Sequence, residues 1–461
     1  MPRAKQKNWY KLDNAAKIIP ATIGGPDTRV FRLVCELKED VDPEILQKAV
    51  GETSREFPHM NCCLRSGIFW YYLDESKEKP LVTEDQLPAL SALYKAGRKN
   101  LLYRITYYRR RINVEMFHVI ADGTGAYTFI ETLITNYFIE KHQLDRSHFL
   151  PQTSSIGEKS EDAFSRYYTK KSSMKYPRGG TMFKDPDQID TESGGIMKWI
   201  KALLTGKAYR LTGQMDDNME EHLIEGTVSA EKMLEIARSY HTTIGILAAS
   251  VYVEAIVRTM RQSDKKRPVI ISVPINLRNY FPSATTRNFF GVIKVAYDAR
   301  NYDGTLESVI PEIAKSFKDQ LTEEKVAKTM NSYAALEHNL MLKAVPLPMK
   351  NAFVRLFNGS LKRGVTASLS NVGKLHIHPE LAPYIEKFTS FMSGPNVFTC
   401  ISTFDDYMAI GIVSCFTNHD IALHFFRRLT SMGVPVELAT NDYNAFTEQH
   451  PEKKHSKKRG R

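Results

Sequence analysis

Apolar and polar positions in VFRLVCELKEDVDPEILQKAV predict a strand over Val30–Leu37, a turn through 40–43, and a helix carrying Ile45, Leu46 and Val50 on one face. Two strand-like runs then meet at residues 109–111, and a helix is expected over 124–142. Its Phe129, Ile130, Leu133, Ile134, Tyr137 and Phe138 recur at steps of three and four, the period of a buried stripe. From 150 to 223 the pattern dissolves into Ser, Lys, Asp, Gly and Pro, with helical spacing kept only over 196–204. This stretch reads as a connection between two halves, its one amphipathic piece packed against protein rather than resting on a membrane.

A second set of elements opens with helices over 229–240 and 243–261, the latter presenting Ile244, Leu247, Val251 and Ile256. The near-continuous apolar runs RPVIISVPINLR and NFFGVIKVAYDA read as strands, and helices are expected over 306–323 and around 333–342. The last part is β-rich: VTASLSNVG, then NVFTCISTF and YMAIGIVSCF joined by Asp405 and Asp406 as a hairpin, with a closing helix over 419–432. Strands and helices mix in similar order in both halves, so the expected class is α/β. The expected organisation is an N-terminal lobe (1–150), an interlobe connection (151–223), a C-terminal lobe (224–448) and a basic disordered tail (449–461).

The 461 residues, 42% hydrophobic and 25% charged, suffice for two cores and exclude fibrous or wholly disordered classes. No apolar run approaches the ~18 residues that cross a bilayer, and the basic N-terminus lacks a following apolar stretch, so a cytoplasmic chain is expected. Five cysteines without a C-x-x-C pair argue against disulfides or a structural zinc cluster. Of the net charge of +11, the ten residues from Glu452 contribute six Lys/Arg against one Glu, leaving 11 − 5 = +6 for the rest. With no nucleic-acid-binding motif beside it, that modest balance predicts no nucleic-acid partner.

Candidate chemistry concentrates in MFHVIADGTG. Ile112, Val114, Met116 and His118 share one strand face by period-two alternation, which puts an imidazole at the end of an otherwise apolar face. Gly123 and Gly125 break the strand, Asp122 sits in the turn, and Thr124 is placed to cap the next helix. A lone buried histidine is ordinarily a satisfied core residue. A neutral one at a chain reversal also suits a general base for attack on a thioester carbonyl. The oxyanion formed in that attack needs a donor, for which Ser368, Ser370 or the backbone near Asn371 are candidates. His376 and His378 would share one strand face as a possible metal pair, but with no third ligand nearby a loop is the preferred reading and no metal site is expected. The run Tyr107 to Arg111 is read as an exposed hairpin end.

Together with SVPINLRNYFPSATTRNFFG, the His118-x-x-x-Asp122-Gly123 motif resembles the acyltransferase superfamily of chloramphenicol acetyltransferase, the BAHD enzymes and nonribosomal peptide condensation domains. Ser370-Asn371-Val372-Gly373 and the opening WYKLDNAAKI are similar to its bacterial alcohol acetyltransferase branch. The resemblance spans residues 8 to 438 and implies a two-lobed chloramphenicol acetyltransferase-like fold with an interlobe channel. It further implies His118 as base, Asp122 as a structural partner paired with Arg278, acyl-CoA as co-substrate and no permanently bound cofactor. The acceptor would be a small alcohol or amine. Three departures stand out: Phe117 replaces the second histidine of condensation domains, Arg287 replaces the Gly that usually precedes Asn-Phe-Phe, and the plant D-F-G-W-G signature is absent. The alternatives are an enzyme that takes its acyl group from an acyl carrier protein, or a catalytically silent binding protein of the same fold.

Overall fold

Runs of β-branched and aromatic residues pair into three sheets in the computed structural model, which describes residues 9–150, 154–167, 208–338 and 345–441. The strands are β1 (Trp9–Lys11), β2 (Val30–Leu37), β3 (Cys62–Ser66), β4 (Tyr71–Glu75), β5 (Val82–Glu84), β6 (Tyr103–Tyr108), β7 (Arg111–Phe117), β8 (His222–Ser229), β9 (Val269–Asn276), β10 (Phe290–Tyr297), β11 (Ala367–Lys374), β12 (Ile385–Met392), β13 (Phe398–Phe404), β14 (Tyr407–Ser414) and β15 (Glu437–Thr440). A five-stranded sheet runs β12-β2-β7-β6-β5, a seven-stranded sheet β10-β9-β11-β13-β14-β8-β15, and a small sheet β1-β4-β3.

Each large sheet buries one face under helices. Helices Pro43–Glu56 and Gly123–His142 pack together, and their apolar residues join those of the five-stranded sheet in one core. Helices Ile244–Thr259, Ile310–Gln320 and Asp420–Ser431 do the same for the seven-stranded sheet. On β14, Met408, Ile410 and Ile412 face that second core, whereas Val413 belongs to the first, as period-two alternation requires.

The two lobes interlock. β12, from the C-terminal half, pairs antiparallel with β2 from Ile385–Leu37 to Met392–Phe31. A division of the chain at 150 and 224 therefore misses one exchanged strand: β12 lies within 224–448 but completes the N-terminal sheet. At the contact between sheets Gly411 admits no side chain, since a Cβ there would lie 2.5 Å from the Ser390 carbonyl oxygen. All five cysteines are free and buried. The expected helix over 196–204 and the basic tail lie outside the described residues. Among the described residues no single helix is long and apolar enough to cross a membrane.

Candidate active site

Strands β9 and β11 pair in parallel only at Ile271–Ala367 and Ser272–Ser368. Beyond that point β9 follows β10, β11 follows β13, and the two part like the arms of a fork. The loop from His118 to Gly123 enters this fork. One arm meets it through Arg278, which lies just past β9, and through the segment leading into β10. The other arm meets it through Val372, whose Cγ1 lies 2.9 Å from where a Cβ on Gly123 would stand. The close approach depends on a bulge in β11 between Asn371 and Gly373, with Gly373 at φ +102°.

Asp122 anchors the loop. Its Oδ1 accepts from the Gly125 amide at 2.9 Å, so Asp122 rather than Thr124 caps the helix and the helix starts one residue earlier, at Gly123. Arg278 donates to Asp122 Oδ2 at 2.8 Å and Oδ1 at 3.2 Å, and the Phe289 amide donates to Oδ2 at 2.8 Å. The guanidinium also donates to the Thr285 and Arg287 carbonyls, at 2.8 and 2.7 Å, and to Asn276 Oδ1 at 3.2 Å. A buried carboxylate with four donors is positioned, not reactive, and it ties residues from the two lobes together. Gly125 permits this junction, because a Cβ there would stand 1.8 Å from the Thr286 carbonyl oxygen.

His118 lies one residue past the end of β7, half-buried, its amide on the Arg29 carbonyl at 2.9 Å. The ring sits between Phe31 and Phe290, at centroid distances of 5.6 and 5.2 Å. Its Nδ1 is 3.0 Å from Asn288 Oδ1. The Asn288 amide is held in that orientation because its Nδ2 donates to Asp13 Oδ2 at 3.3 Å and to the Val119 carbonyl at 3.2 Å. Oδ1 must then accept, the His118 proton resides on Nδ1, and Nε2 carries the lone pair. Burial lowers the His118 pKa from its ordinary value, against the opposing pull of its own backbone, Asp122 and Asn288. A base that is neutral with a defined free nitrogen can take a proton at neutral pH.

Asn288→Ala tests this orientation. Loss of one such bond is worth about 0.5 to 1.5 kcal/mol, so kcat should fall up to about tenfold with KM little changed, and the acid limb of the rate profile should move to lower pH. Unaltered kcat and pH profile would remove Asn288 from the site.

Asp13 and the role of Asn288 escape a reading of the sequence. Both residues sit in quoted motifs, yet nothing local joins positions 13, 118 and 288. Burial raises the Asp13 carboxyl to about 6, with Arg287 opposing. Arg287 itself is buried and donates to the Lys11 and Ser160 carbonyls, so where the family pattern has Gly this chain has a brace between the N-terminal strand, residues 154–167 and the site. Thr286 is braced likewise, by His59 Nε2 at 2.8 Å and by the Lys159 carbonyl.

Ser368 lies at the crotch of the fork, its hydroxyl 2.7 Å from that of Ser272. Ser370 is half-buried. Asn371 is exposed, with its Nδ2 3.7 Å from where a Cβ on Gly245 would stand. Two cavities lie away from His118, one lined by Leu37, Phe138 and Tyr384, the other by Tyr209, His222 and His419. His378 meets His148 and Glu380 rather than His376, with ligand atoms within 4.8 Å of one another on the surface. All three groups already have partners: Glu380 Oε1 is 3.2 Å from His148 Nε2, and His378 Nδ1 receives the Glu380 amide. Residues 109 and 110 form the turn joining β6 to β7, with Arg109 at φ +50°, and Arg110 and Arg111 pair with Glu36.

No protein-family profile and no curated protein sequence matches the chain. Solved structures do. Trichothecene 15-O-acetyltransferase TRI3 from Fusarium sporotrichioides superposes with a TM-score of 0.63 at 10% identity, over 93% of this chain and 94% of that one. TRI101 of F. graminearum, complexed with ethyl coenzyme A, gives 0.55 at 11% identity over 92% and 97%. The first condensation domain of the calcium-dependent antibiotic synthetase gives 0.54 at 11% identity over 92% and 96%. The chain thus has the two-lobed chloramphenicol acetyltransferase-like fold, shared by acetyltransferases and condensation domains.

Proposed function

We propose that the protein is an acyltransferase that moves an acyl group from coenzyme A to an alcohol or amine, with the interlobe fork as the reaction channel. The observation that carries this reading is the pinned Asn288 amide, which supports a proton on His118 Nδ1 and so a basic Nε2 beside the fork. In the proposed reaction Nε2 takes the acceptor's proton as its oxygen or nitrogen attacks the thioester carbonyl. The tetrahedral intermediate collapses, the carbon–sulfur bond breaks, and the same proton passes to the departing thiolate. Ser368 and Ser370 share one face of β11, and a hydroxyl from that face, Ser370 above all, would supply the oxyanion's hydrogen bond. Asp122, Gly123 and Arg278 hold the loop and touch no substrate. The fold's acetyltransferase members support acyl-CoA as donor, and the bacterial alcohol acetyltransferase motifs favour an alcohol acceptor.

The decisive experiment measures thiol release from a panel of acyl-CoAs and from acylated carrier protein, each with a mixture of alcohols and amines. Release from acyl-CoA that depends on acceptor and on His118 is the expected result. Release from the carrier thioester alone would move the protein to the condensation type, and release from neither would leave a binding protein of this fold.

A further inference from the structure

The tip of the β3–β4 hairpin reads Gly67-Ile68-Phe69-Trp70, where polar turn residues are the rule. Ile68 is 74% exposed and Phe69 is exposed as well. The N-terminal end of helix Leu347–Arg363 docks on this tip: the Leu347 amide donates to the Ile68 carbonyl at 2.8 Å, and Lys350 Nζ donates to the Phe69 carbonyl at 3.0 Å. That helix points outward the side chains an amphipathic helix normally hides. Met349, Phe353 and Leu356 follow one face at steps of four and three, and Leu356 is 77% exposed. The same helix packs against the short helix Ile19–Thr22, next to exposed Ile18. Two anomalies, a greasy turn and a greasy helix face, thus adjoin in one patch.

Cations accompany the patch. Lys350 Nζ lies 3.4 Å and Lys17 Nζ 5.4 Å from the centre of the Trp70 ring, and Arg355 is exposed between Phe353 and Leu356. Apolar side chains bordered by Lys and Arg, with a tryptophan held among ammonium groups, are what the boundary between lipid headgroups and acyl chains accommodates. The net charge of +11 adds a long-range attraction of the same sign.

We propose that this patch docks on an anionic lipid bilayer, with Ile68, Phe69, Met349 and Leu356 entering the headgroup boundary and Lys17, Lys350 and Arg355 meeting lipid phosphates. Such a contact rests on the surface, not on a spanning helix, and it is independent of the proposed acyl transfer.

Co-sedimentation of the full chain with vesicles tests it. One set is phosphatidylcholine alone and the other contains roughly one-third phosphatidylglycerol, since anionic lipid supplies the attraction. The wild type should pellet with the anionic vesicles, less so as salt is raised. Ile68→Glu and Leu356→Glu together should lower the bound fraction by about tenfold or more, with an unchanged thermal midpoint as proof of folding. A milder Ile68→Ser/Leu356→Ser pair serves if the first fails to fold. Wild type remaining in the supernatant with both vesicle types overturns the proposal, as does equal pelleting of a folded variant. A salt-resistant dimer that the same substitutions dissolve, without vesicle binding, also overturns it and assigns the face to a second copy of the chain.

Discussion

His118→Ala should abolish nearly all acceptor-dependent thiol release while the protein stays folded. The ring is partly exposed and its deletion strands no charge, but it leaves the buried Asn288 Oδ1 without its donor, so the unfolding midpoint should fall modestly, in line with the roughly 1 to 3 kcal/mol such an orphaned group costs. A positioned general base contributes roughly 10²- to 10⁴-fold, and the variant should lose that factor in kcat rather than in KM. The wild-type pH profile carries the same signature. Burial lowers the His118 pKa, so the base is free at neutral pH and becomes protonated only below the usual histidine range of about 6.5. The rate should therefore be level above neutrality and fall as pH drops through that lowered value. His118→Ala should lack this acid limb in whatever slow rate remains. Turnover unchanged by the substitution would dismiss the base.

Arg278→Ala should be the most destabilising single change at the site. It removes both guanidinium bonds from Asp122 and leaves the Thr285 and Arg287 carbonyls short of their shared donor. Breaking one partner out of a buried pair costs about 3 to 5 kcal/mol, because the other charge stays behind. Two amides, of Gly125 and Phe289, still reach Asp122, which puts the expected loss at the lower end of that range. The denaturant midpoint should fall clearly, and activity should fall with it as the His118 loop shifts. Arg278→Lys keeps the charge but loses the planar fork, and should recover only part of the stability. A variant with wild-type midpoint and rate would show that the Asp122 contact holds nothing in place.

Much of the local architecture is legible along the chain. The strand expected over Val30–Leu37 has those bounds in the structure, and the 405–406 turn joins β13 to β14 with Asp405 at φ +51°. Both depend on near neighbours: an eight-residue, largely apolar run bounded by charged and turn residues, and a two-residue turn that an aspartate tolerates. The fold itself follows from a few spaced motifs, of which the His118 motif and the Arg278 region are the most telling. Helix Leu347–Arg363 and the β3–β4 hairpin are not anticipated, because their exposed apolar residues blur the periodicity from which such elements are read.

Contacts between distant segments are another matter. β12 pairs with β2 across some 350 positions, and no local pattern distinguishes that partner from a neighbour in its own lobe. The proton on His118 Nδ1 depends on Asn288, Asp13 and Val119, three groups brought together from three parts of the chain. Periodicity and turn chemistry act over a few residues and can be read one segment at a time. The direction of an amide, the nitrogen a histidine leaves free and the strand that completes a sheet are set by which buried groups must satisfy one another once the chain has closed.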